Sequence, residues 1–379
     1  MSESSALTAR PNHRSLVSRL SLANLSMYPV VVILAVAAAL FVHDFAAPNN
    51  LLNIVEQSAV LAVLVAAEVL VLLTGRFDLS LESIVGFAPM VVAVLATSYG
   101  LPQAASIPLS LAIGLFVGFF NGFLVVKVGL QPFIATLGML LFLRGAMLII
   151  SSGKAVYNSN GNLDGLAFLG QFRFAGVLIA TWVAVLVLIA TAFLTRRHRF
   201  GRSLYAIGGN EGAARAAGVP VDRVLWMVFT LAGGLAALAG VMLVGRLNTV
   251  AVSQGQNLIF DVFAAAVIGG IALDGGKGTI FGAVSGVLLL GIVSNLLTLA
   301  AVPSYWVQAT RGAIILIAMV VAAVAAGRRA KRQQQGLRRP PAATSTASDS
   351  GSGTSGDQES VSSGSRVVAS RAKRTESTG

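Results

Sequence analysis

Ionisable residues inside or beside long apolar stretches are the residues of this sequence best equipped for chemistry. Glu68, Asp78 and Glu82 can bind protons or cations or line a polar path, because an ionisable group at membrane depth is costly and usually faces a cavity or a partner. Asp78 and Glu82 are four residues apart, as on one face of a helix, and Asp78 or Ser80 is also suited to cap the helix that follows. Capping and a role in a path are both open at this point.

Arg144 and Asn121 are further polar residues within apolar stretches. An arginine at mid-bilayer costs about 2.5 to 3.5 kcal/mol on insertion scales, so we expect Arg144 to have a partner or a wet pocket. An internal ion pair and a contact with substrate are both open. Asn121, beside Gly122, is the polar group of its stretch best placed to reach a cavity or a neighbouring backbone.

Motifs for enzyme chemistry are missing from the sequence. The string DGGKGT at Asp274–Thr279 is not a Walker A loop, which needs glycine where Ile271 stands and Ser or Thr where Gly278 stands. The chain has no cysteine, no metal-spaced histidine cluster and no catalytic triad. We therefore predict that it neither hydrolyses ATP nor binds a metal or cofactor itself.

The composition is that of an integral membrane protein, with 55% hydrophobic and 11% charged residues and a mean hydropathy of +0.80. The apolar residues come in blocks without a polar face, such as 30–42 and 182–194. At about 20 residues per crossing, we predict an all-α bundle of about ten transmembrane helices. The eighth is short and the third follows a polar corner, so either is open to being broken or re-entrant. The predicted spans are 29–45, 51–74, 79–98, 104–127, 132–151, 175–194, 222–245, 259–273, 279–299 and 305–326.

Basic residues sort to one side of these spans if the N-terminus is cytoplasmic. Between spans, only Lys154, Arg173 and Arg246 then fall outside. The positive-inside rule therefore predicts a multi-pass membrane protein with both termini cytoplasmic. Its domains are an N-terminal segment at 1–28, a membrane domain at 29–326 and a disordered basic tail at 327–379. Topology and anionic membrane lipid account for the excess positive charge, and no nucleic-acid partner is needed.

One polar stretch, Arg196–Arg223, interrupts the apolar blocks, and we call it the handle. Asn210 is a good N-cap and Glu211 suits the positive end of a helix dipole. Gly218 supplies a left-handed C-terminal cap, and Pro220 then ends the helix. The helix of roughly seven residues is far shorter than the ~12 to 15 needed for marginal stability alone. We therefore expect another protein to hold it.

Glycines at GxxxG spacing predict close helix packing in two spans. Two overlapping units occupy the fourth span and one occupies the ninth. The glycines are Gly114, Gly118, Gly122, Gly282 and Gly286.

Four spaced motifs within residues 50–325 resemble those of the permease subunits of ribose-type ABC sugar importers. The family patterns are TGGIDLSVGS, NGxLVxxxxxxPFIxTLGxxxxxRG, GRxxYAIGGNxxAARLSGI and AxVIGGTSLxGGxGxxxGxxxG. This chain has LLTGRFDLSLES, NGFLVVKVGLQPFIATLGMLLFLRGAML, GRSLYAIGGNEGAARAAGV and AAVIGGIALDGGKGTIFGAVSG in the same order.

The resemblance implies a transport permease of about ten helices in a bacterial cytoplasmic membrane. It also implies the architecture of the cobalamin-type importers, with the handle as the coupling helix. It implies a second permease copy or close homologue, two cytoplasmic ATPase subunits that bind ATP and Mg, and an extracytoplasmic sugar-binding protein. By the same resemblance, residues of the handle would couple to the ATPase: Tyr205, Gly208, Asn210, Glu211, Ala213, Ala214, Arg215 and Gly218. Candidates near the translocation path are Asp78, Glu82, Asn121, Phe133, Thr136 and Arg144.

Two departures from the family pattern leave the substrate open. Glu82 stands where the family usually has glycine, and Asp274 stands where it often has serine. A pentose, hexose, deoxyhexose or related polyol would fit the resemblance. The alternatives are an ABC permease for nucleosides or branched-chain amino acids, and an ion-coupled secondary transporter that uses Glu68, Asp78 and Glu82.

Overall fold

The computed structural model describes residues 27–303 and single positions between 306 and 320. The predicted segment at 1–28 is therefore described only at its last two residues. Most of the predicted span at 305–326, and the whole predicted tail at 327–379, lie outside the described residues.

The described chain is mostly helical. Its helices are α1 Tyr28–Phe41, α2 Pro48–Leu72, α3 Leu81–Tyr99, α4 Gln103–Val126, α5 Pro132–Ile150, α6 Asp164–Gln171, α7 Ile179–Arg197, α8 Arg199–Gly209, α9 Glu211–Ala216, α10 Val221–Leu247, α11 Leu258–Ile268 and α12 Ile280–Leu299. Four two-residue strands form two antiparallel pairs. Strand β1 Val156–Tyr157 pairs with β4 Thr249–Val250, and β2 Arg173–Phe174 pairs with β3 Val177–Leu178.

Seven helices in the described part of the chain are long and apolar enough to cross a membrane: α2, α3, α4, α5, α7, α10 and α12. The prediction of an all-α, multi-pass membrane protein is confirmed by this architecture. The eighth predicted span, 259–273, was left open to being broken, and its helix is shorter than the predicted range: α11 ends at Ile268, and Gly270 has a left-handed φ of 84°. With 11 residues at 1.5 Å each, α11 is about half as long as a bilayer's ~30 Å hydrocarbon core.

Close packing at glycines brings α4 and α10 together in the core. A Cβ on Gly114 would overlap Gly233, and one on Gly118 would overlap the carbonyl of Phe229. In the same way, a Cβ on Gly286 of α12 would overlap the backbone of Ala265 in α11. The predicted role of these glycines in helix packing is confirmed, since only a hydrogen fits between the paired backbones.

The segment 251–257, which leads into α11, is anchored in the bundle at Gln254 and Gly255. Gln254 is 6% exposed, and its Nε2 donates to the carbonyls of Val85 at 3.1 Å and Gly240 at 3.4 Å. Gly255 has φ +86° and lies against the carbonyl of Glu82. Irregular backbone at membrane depth is tolerated where the protein satisfies its polar groups. Gln254 and Gly255 are therefore packed inside the bundle, whereas Ser253, Gln256 and Asn257 of the same segment are exposed.

Candidate functional site

Two loops and the turn between α8 and α9 meet at one end of the bundle, and we call this meeting point the loop junction: residues 73–80, 274–279 and 205–211. Gly276 N donates to the carbonyl of Leu73 at 3.0 Å, and Tyr205 Oη donates to the carbonyl of Gly278 at 2.9 Å. Burial raises the pKa of Tyr205, so its hydroxyl keeps the proton that it donates. A Cβ on Gly208 would overlap Leu73 O and Gly276 N. The handle is thus seated on the bundle through backbone contacts that need glycine.

The predicted short helix of the handle forms as α9. Asn210 caps it, because its Oδ1 accepts from Ala213 N at 2.9 Å, and Gly218 has φ +82° just beyond its end. Ala214 is buried at 5% exposure, whereas Gly212 and Ala213 are exposed. The capping and termination predicted from the sequence are confirmed. The helix therefore presents a surface of small residues to its surroundings.

A second helix in the handle, α8, was not predicted from the sequence. Its apolar residues Phe200, Leu204 and Ile207 are buried, at spacings of four and three residues. His198 caps its start, since its Nδ1 accepts from Phe200 N at 3.1 Å. That periodicity is the signal in the sequence from which α8 could have been found.

Side-chain ion pairs connect α9 to the bundle. Arg76 Nη2 lies 2.9 Å from Glu211 Oε2, and Arg215 Nη2 lies 3.3 Å from Glu211 Oε1 and 2.8 Å from Asp222 Oδ1. The hydrogen bond from Arg76 holds the pKa of Glu211 below its ordinary value. The sequence did not indicate Arg76 as a site residue, because 135 residues separate it from Glu211.

Beneath the loop junction, three of the path candidates belong to one buried polar cluster. Asp78 Oδ1 accepts from Ser80 N at 3.0 Å and from Ser80 Oγ at 2.6 Å, and Asn121 Nδ2 donates to Ser80 Oγ at 2.7 Å. Leu79 N donates to Thr136 Oγ1 at 3.2 Å. Asp78, Asn121 and Thr136 are each 0% exposed. The cluster holds residues 78–80 against α4 and α5.

The capping interpretation of this corner is wrong. Ser80 occupies the N-cap position of α3 but makes no capping side-chain hydrogen bond, and Asp78 bonds Ser80 instead. Because α3 begins only at Leu81, Asp78 and Glu82 do not share a helix face. The intervening turn places the two carboxyl groups in different surroundings, since Asp78 bonds Ser80 and Glu82 bonds Arg144.

Glu82 and Arg144 form an ion pair between α3 and α5. Arg144 Nη2 lies 3.0 Å from Glu82 Oε1, while Glu82 Oε2 accepts from Ile259 N at 3.4 Å, at the start of α11. The positive end of a helix dipole favours a carboxylate there. The Glu82 side chain is 5% exposed and that of Arg144 is 28% exposed. The internal ion pair considered from the sequence therefore exists, and it leaves part of Arg144 accessible.

Phe133 lies apart from the buried cluster. It is 47% exposed and lines an apolar cavity of about 300 Å³ together with Phe77, Phe260 and Phe263. It is 11 residues before Arg144 on α5, or about three helical turns, so both lie on one face of that helix. The path candidates thus fall into a buried group and an accessible group. Among the described residues, no cluster of His, Cys, Asp and Glu is suited to a metal ion.

Comparison with known proteins places this architecture in a family. The family model described as branched-chain amino acid transport system / permease component matches residues 50–319. The ribose import permease protein of Escherichia coli strain K12 is 36% identical over 297 residues, which cover 78% of this chain and 91% of that protein. The fructose import permease protein of Rhizobium meliloti is 35% identical over 271 residues, covering 70% and 75%.

A third relative is the autoinducer 2 import system permease protein of Klebsiella pneumoniae. It is 37% identical over 286 residues, covering 76% of this chain and 80% of that protein. The match to the family model and the long alignments to these permeases agree with the multi-pass helical fold. The chain belongs to the family of permease components described for branched-chain amino acid transport systems.

Proposed function

We propose that this chain is the transmembrane permease of an ABC importer for a monosaccharide, such as a pentose, hexose, deoxyhexose or related polyol. The bundle has about ten transmembrane helices in the arrangement of the cobalamin-type importers, with both termini in the cytoplasm. A separate ATPase binds ATP and Mg, and an extracytoplasmic binding protein delivers the sugar. The permease itself is not an enzyme.

The proposed sugar rests on the relatives' names. The permeases of Escherichia coli and Rhizobium meliloti carry ribose and fructose in their names, at 36% and 35% identity. The family description names branched-chain amino acids instead. Branched-chain amino acids are therefore the second candidate substrate. The high identity over most of both chains supports the sugar assignment over the broader family label.

The observation that carries the coupling proposal is the loop junction with its Arg76–Glu211 ion pair. The exposed small residues of α9 form a narrow helix surface that can fit into a groove of an ATPase. When the ATPase moves α9, Arg76 passes the movement to residues 73–80. These residues reach α4 through Ser80 and Asn121, and α5 through Leu79 and Thr136.

The proposed path lies along the face of α5 that carries Phe133 and Arg144. A partly exposed arginine at membrane depth is unfavourable against lipid, so this face is turned toward a water-filled path or a second permease copy. Glu82 supplies the counter-charge and holds the guanidinium in place. The path binds sugar only weakly, because the binding protein provides most of the affinity.

Ion-coupled transport is the less favoured mechanism. Glu82 is already paired with Arg144, while Glu68 and Asp78 are fully buried. Carboxylates that exchange cations with a path need access to it. None of these three side chains is more than 5% exposed in the described structure.

Uptake with competition tests the proposed substrate. Cells that express this chain with its ATPase and binding protein would be supplied in turn with radiolabelled monosaccharides and polyols, leucine or adenosine. Unlabelled sugars, leucine or adenosine would be added in excess as competitors. The proposal expects unlabelled monosaccharides alone to suppress uptake. Uptake of labelled leucine or adenosine, with no uptake of any monosaccharide or polyol, would replace the sugar assignment by one of the alternatives.

A further inference from the structure

Two carboxyl groups that the transport mechanism does not use are buried together beneath the loop junction. Glu68, near the end of α2, and Asp78 are each 0% exposed. Asp78 N donates to Glu68 Oε1 at 3.3 Å, so the backbone of one acid touches the carboxyl group of the other. Each carboxyl also has one oxygen without a hydrogen-bond partner in the described structure, namely Glu68 Oε2 and Asp78 Oδ2.

A third unpartnered oxygen belongs to the same cluster. Asn121 is 0% exposed, and while its Nδ2 donates to Ser80 Oγ, its Oδ1 has no partner among the described residues. Ser80 Oγ in turn donates to Asp78 Oδ1 at 2.6 Å. A buried polar atom without a partner costs about 1 to 3 kcal/mol, so three in one cluster indicate a bound species that supplies positive charge or a donor.

Basic side chains do not supply that charge. No described lysine, arginine or histidine nitrogen lies within 4.0 Å of either carboxyl, since the neighbouring arginines pair elsewhere: Arg76 with Glu211, and Arg144 with Glu82. Other charged groups on elements packed against α2 or the corner are Arg196, Arg197, Asp222, Arg223, Arg246, Asp261, Asp274 and Lys277. Two adjacent buried carboxylates with no cation cannot both be ionised, because desolvation and mutual repulsion both oppose it.

We propose that the Glu68–Asp78 pair binds one proton. Asp78 is the charged partner, because Ser80 donates two hydrogen bonds to its Oδ1, whereas Glu68 receives a single long one from Asp78 N. Glu68 is the neutral acid and carries the proton, while its Oε1 accepts from Asp78 N. A metal cation fits less well, because a hard ion such as Ca²⁺ takes about six to eight oxygen ligands, and only three side-chain oxygens of this cluster lack a partner.

The bound proton ties residues 73–80 to the end of α2. Removing it would leave two neighbouring negative charges buried in the bundle, and their repulsion would push the corner away from Glu68. The same corner carries Arg76 and its bond to Glu211, so loss of the proton would also disturb the loop junction. This inference does not depend on the identity of the transported substrate.

Infrared spectroscopy of the full chain in lipid nanodiscs tests the proton directly. The wild type should show the carbonyl stretch of a protonated carboxylic acid at neutral pH, and Glu68→Gln should remove it. Glu56→Gln is the matched control, because Glu56 is on the same helix and pairs with Arg173 at 2.8 Å. This control should leave the band unchanged. A spectrum without the band, or a band that survives in Glu68→Gln, would overturn the proposal.

Thermal unfolding of the same variants gives a second criterion. Glutamine reproduces the shape and the donor of a neutral acid, so Glu68→Gln should fold and unfold within a few degrees of the wild type, whereas Glu68→Ala should unfold at a lower temperature. Failure of Glu68→Gln to fold would contradict a neutral Glu68. A shift of the infrared band on adding Na⁺, K⁺ or Ca²⁺ at constant pH would assign the site to a metal cation instead.

Discussion

Arg76 Nη2 lies 2.9 Å from Glu211 Oε2, and this ion pair joins a loop to the start of a helix across 135 residues of chain. Glu211 begins the exposed helix α9, and Arg76 lies two residues before the buried Asp78. The pair therefore links the start of α9 directly to a corner whose next residues reach into the bundle.

Exchanging the charges of this pair tests whether the two residues act together. Arg76→Glu and Glu211→Arg should each reduce uptake and lower the thermal unfolding temperature, and the double variant should recover part of both. The side chains are 17% and 42% exposed, so the coupling energy should be about 0.5 to 1 kcal/mol. Additive effects of the two substitutions would show that the bond does not couple the loop to the helix.

The cap of α9 should be needed for association with the ATPase. Asn210→Pro removes the side chain that bonds Ala213 N, and the loss of a cap typically costs about 1 kcal/mol in a helix that is only six residues long. We expect less ATPase to co-purify with this variant, with membrane insertion intact. Asp164→Ala, on the separate helix α6, is the control and should retain the ATPase. Normal co-purification with Asn210→Pro would contradict the role of α9.

Two neighbouring glycines offer a matched test of the loop junction. A Cβ on Gly208 would overlap backbone atoms of Leu73 and Gly276, whereas one on Gly209 would meet open space. Gly208→Ala should therefore cost about 2 to 3 kcal/mol or displace the handle, and Gly209→Ala should be nearly neutral for folding. Thermal unfolding measures this difference. Equal stability of the two variants would mean that the junction is looser than its backbone contacts indicate.

Arg144→Ala should destabilise the protein by leaving Glu82 buried and unpaired. Loss of one partner of a buried pair costs about 3 to 5 kcal/mol, and about 3 kcal/mol is expected here because Arg144 is 28% exposed. The double variant Glu82→Gln/Arg144→Met should recover most of that stability, as measured by thermal unfolding. If its uptake stays low while its stability recovers, the charges also serve the path. An Arg144→Ala variant as stable as the wild type would contradict the ion pair.

The pH dependence of the handle follows from Glu211. The hydrogen bond from Arg76 lowers the pKa of Glu211 in the folded chain, while an unfolded glutamate titrates near pH ~4.3. The contribution to stability is thus present above that pH and is lost as the pH falls through the lower folded pKa. The difference in stability between wild type and Glu211→Gln should be constant at neutral pH and shrink in acid. A stability difference that instead grows in acid would contradict a lowered pKa of Glu211 in the folded chain.

Local features were predictable from the sequence, and contacts between distant residues were not. The helix from Glu211 to Ala216 was found because Asn210 and Gly218 act on their own neighbours. The pairing of Arg76 with Glu211 could not be predicted from a local sequence pattern, because 135 residues separate the two. Asp78 was misread as a possible cap because its bonding with Ser80 and its contact with Glu68 arise only when the corner folds back onto α2. The end of α11 before residue 273 was not predicted, because Gly269 and Gly270 lie within an otherwise apolar stretch.

The most direct test of coupling at the handle is ATP-driven uptake by proteoliposomes that contain this chain, its ATPase and its binding protein. Glu211→Lys adds a third positive charge beside Arg76 and Arg215, so it should lower uptake of labelled monosaccharide at least tenfold while the chain remains inserted and folded. Wild-type uptake should require ATP and both partners. Accumulation of sugar by the chain alone under an ion gradient, or wild-type uptake by Glu211→Lys, would contradict the account.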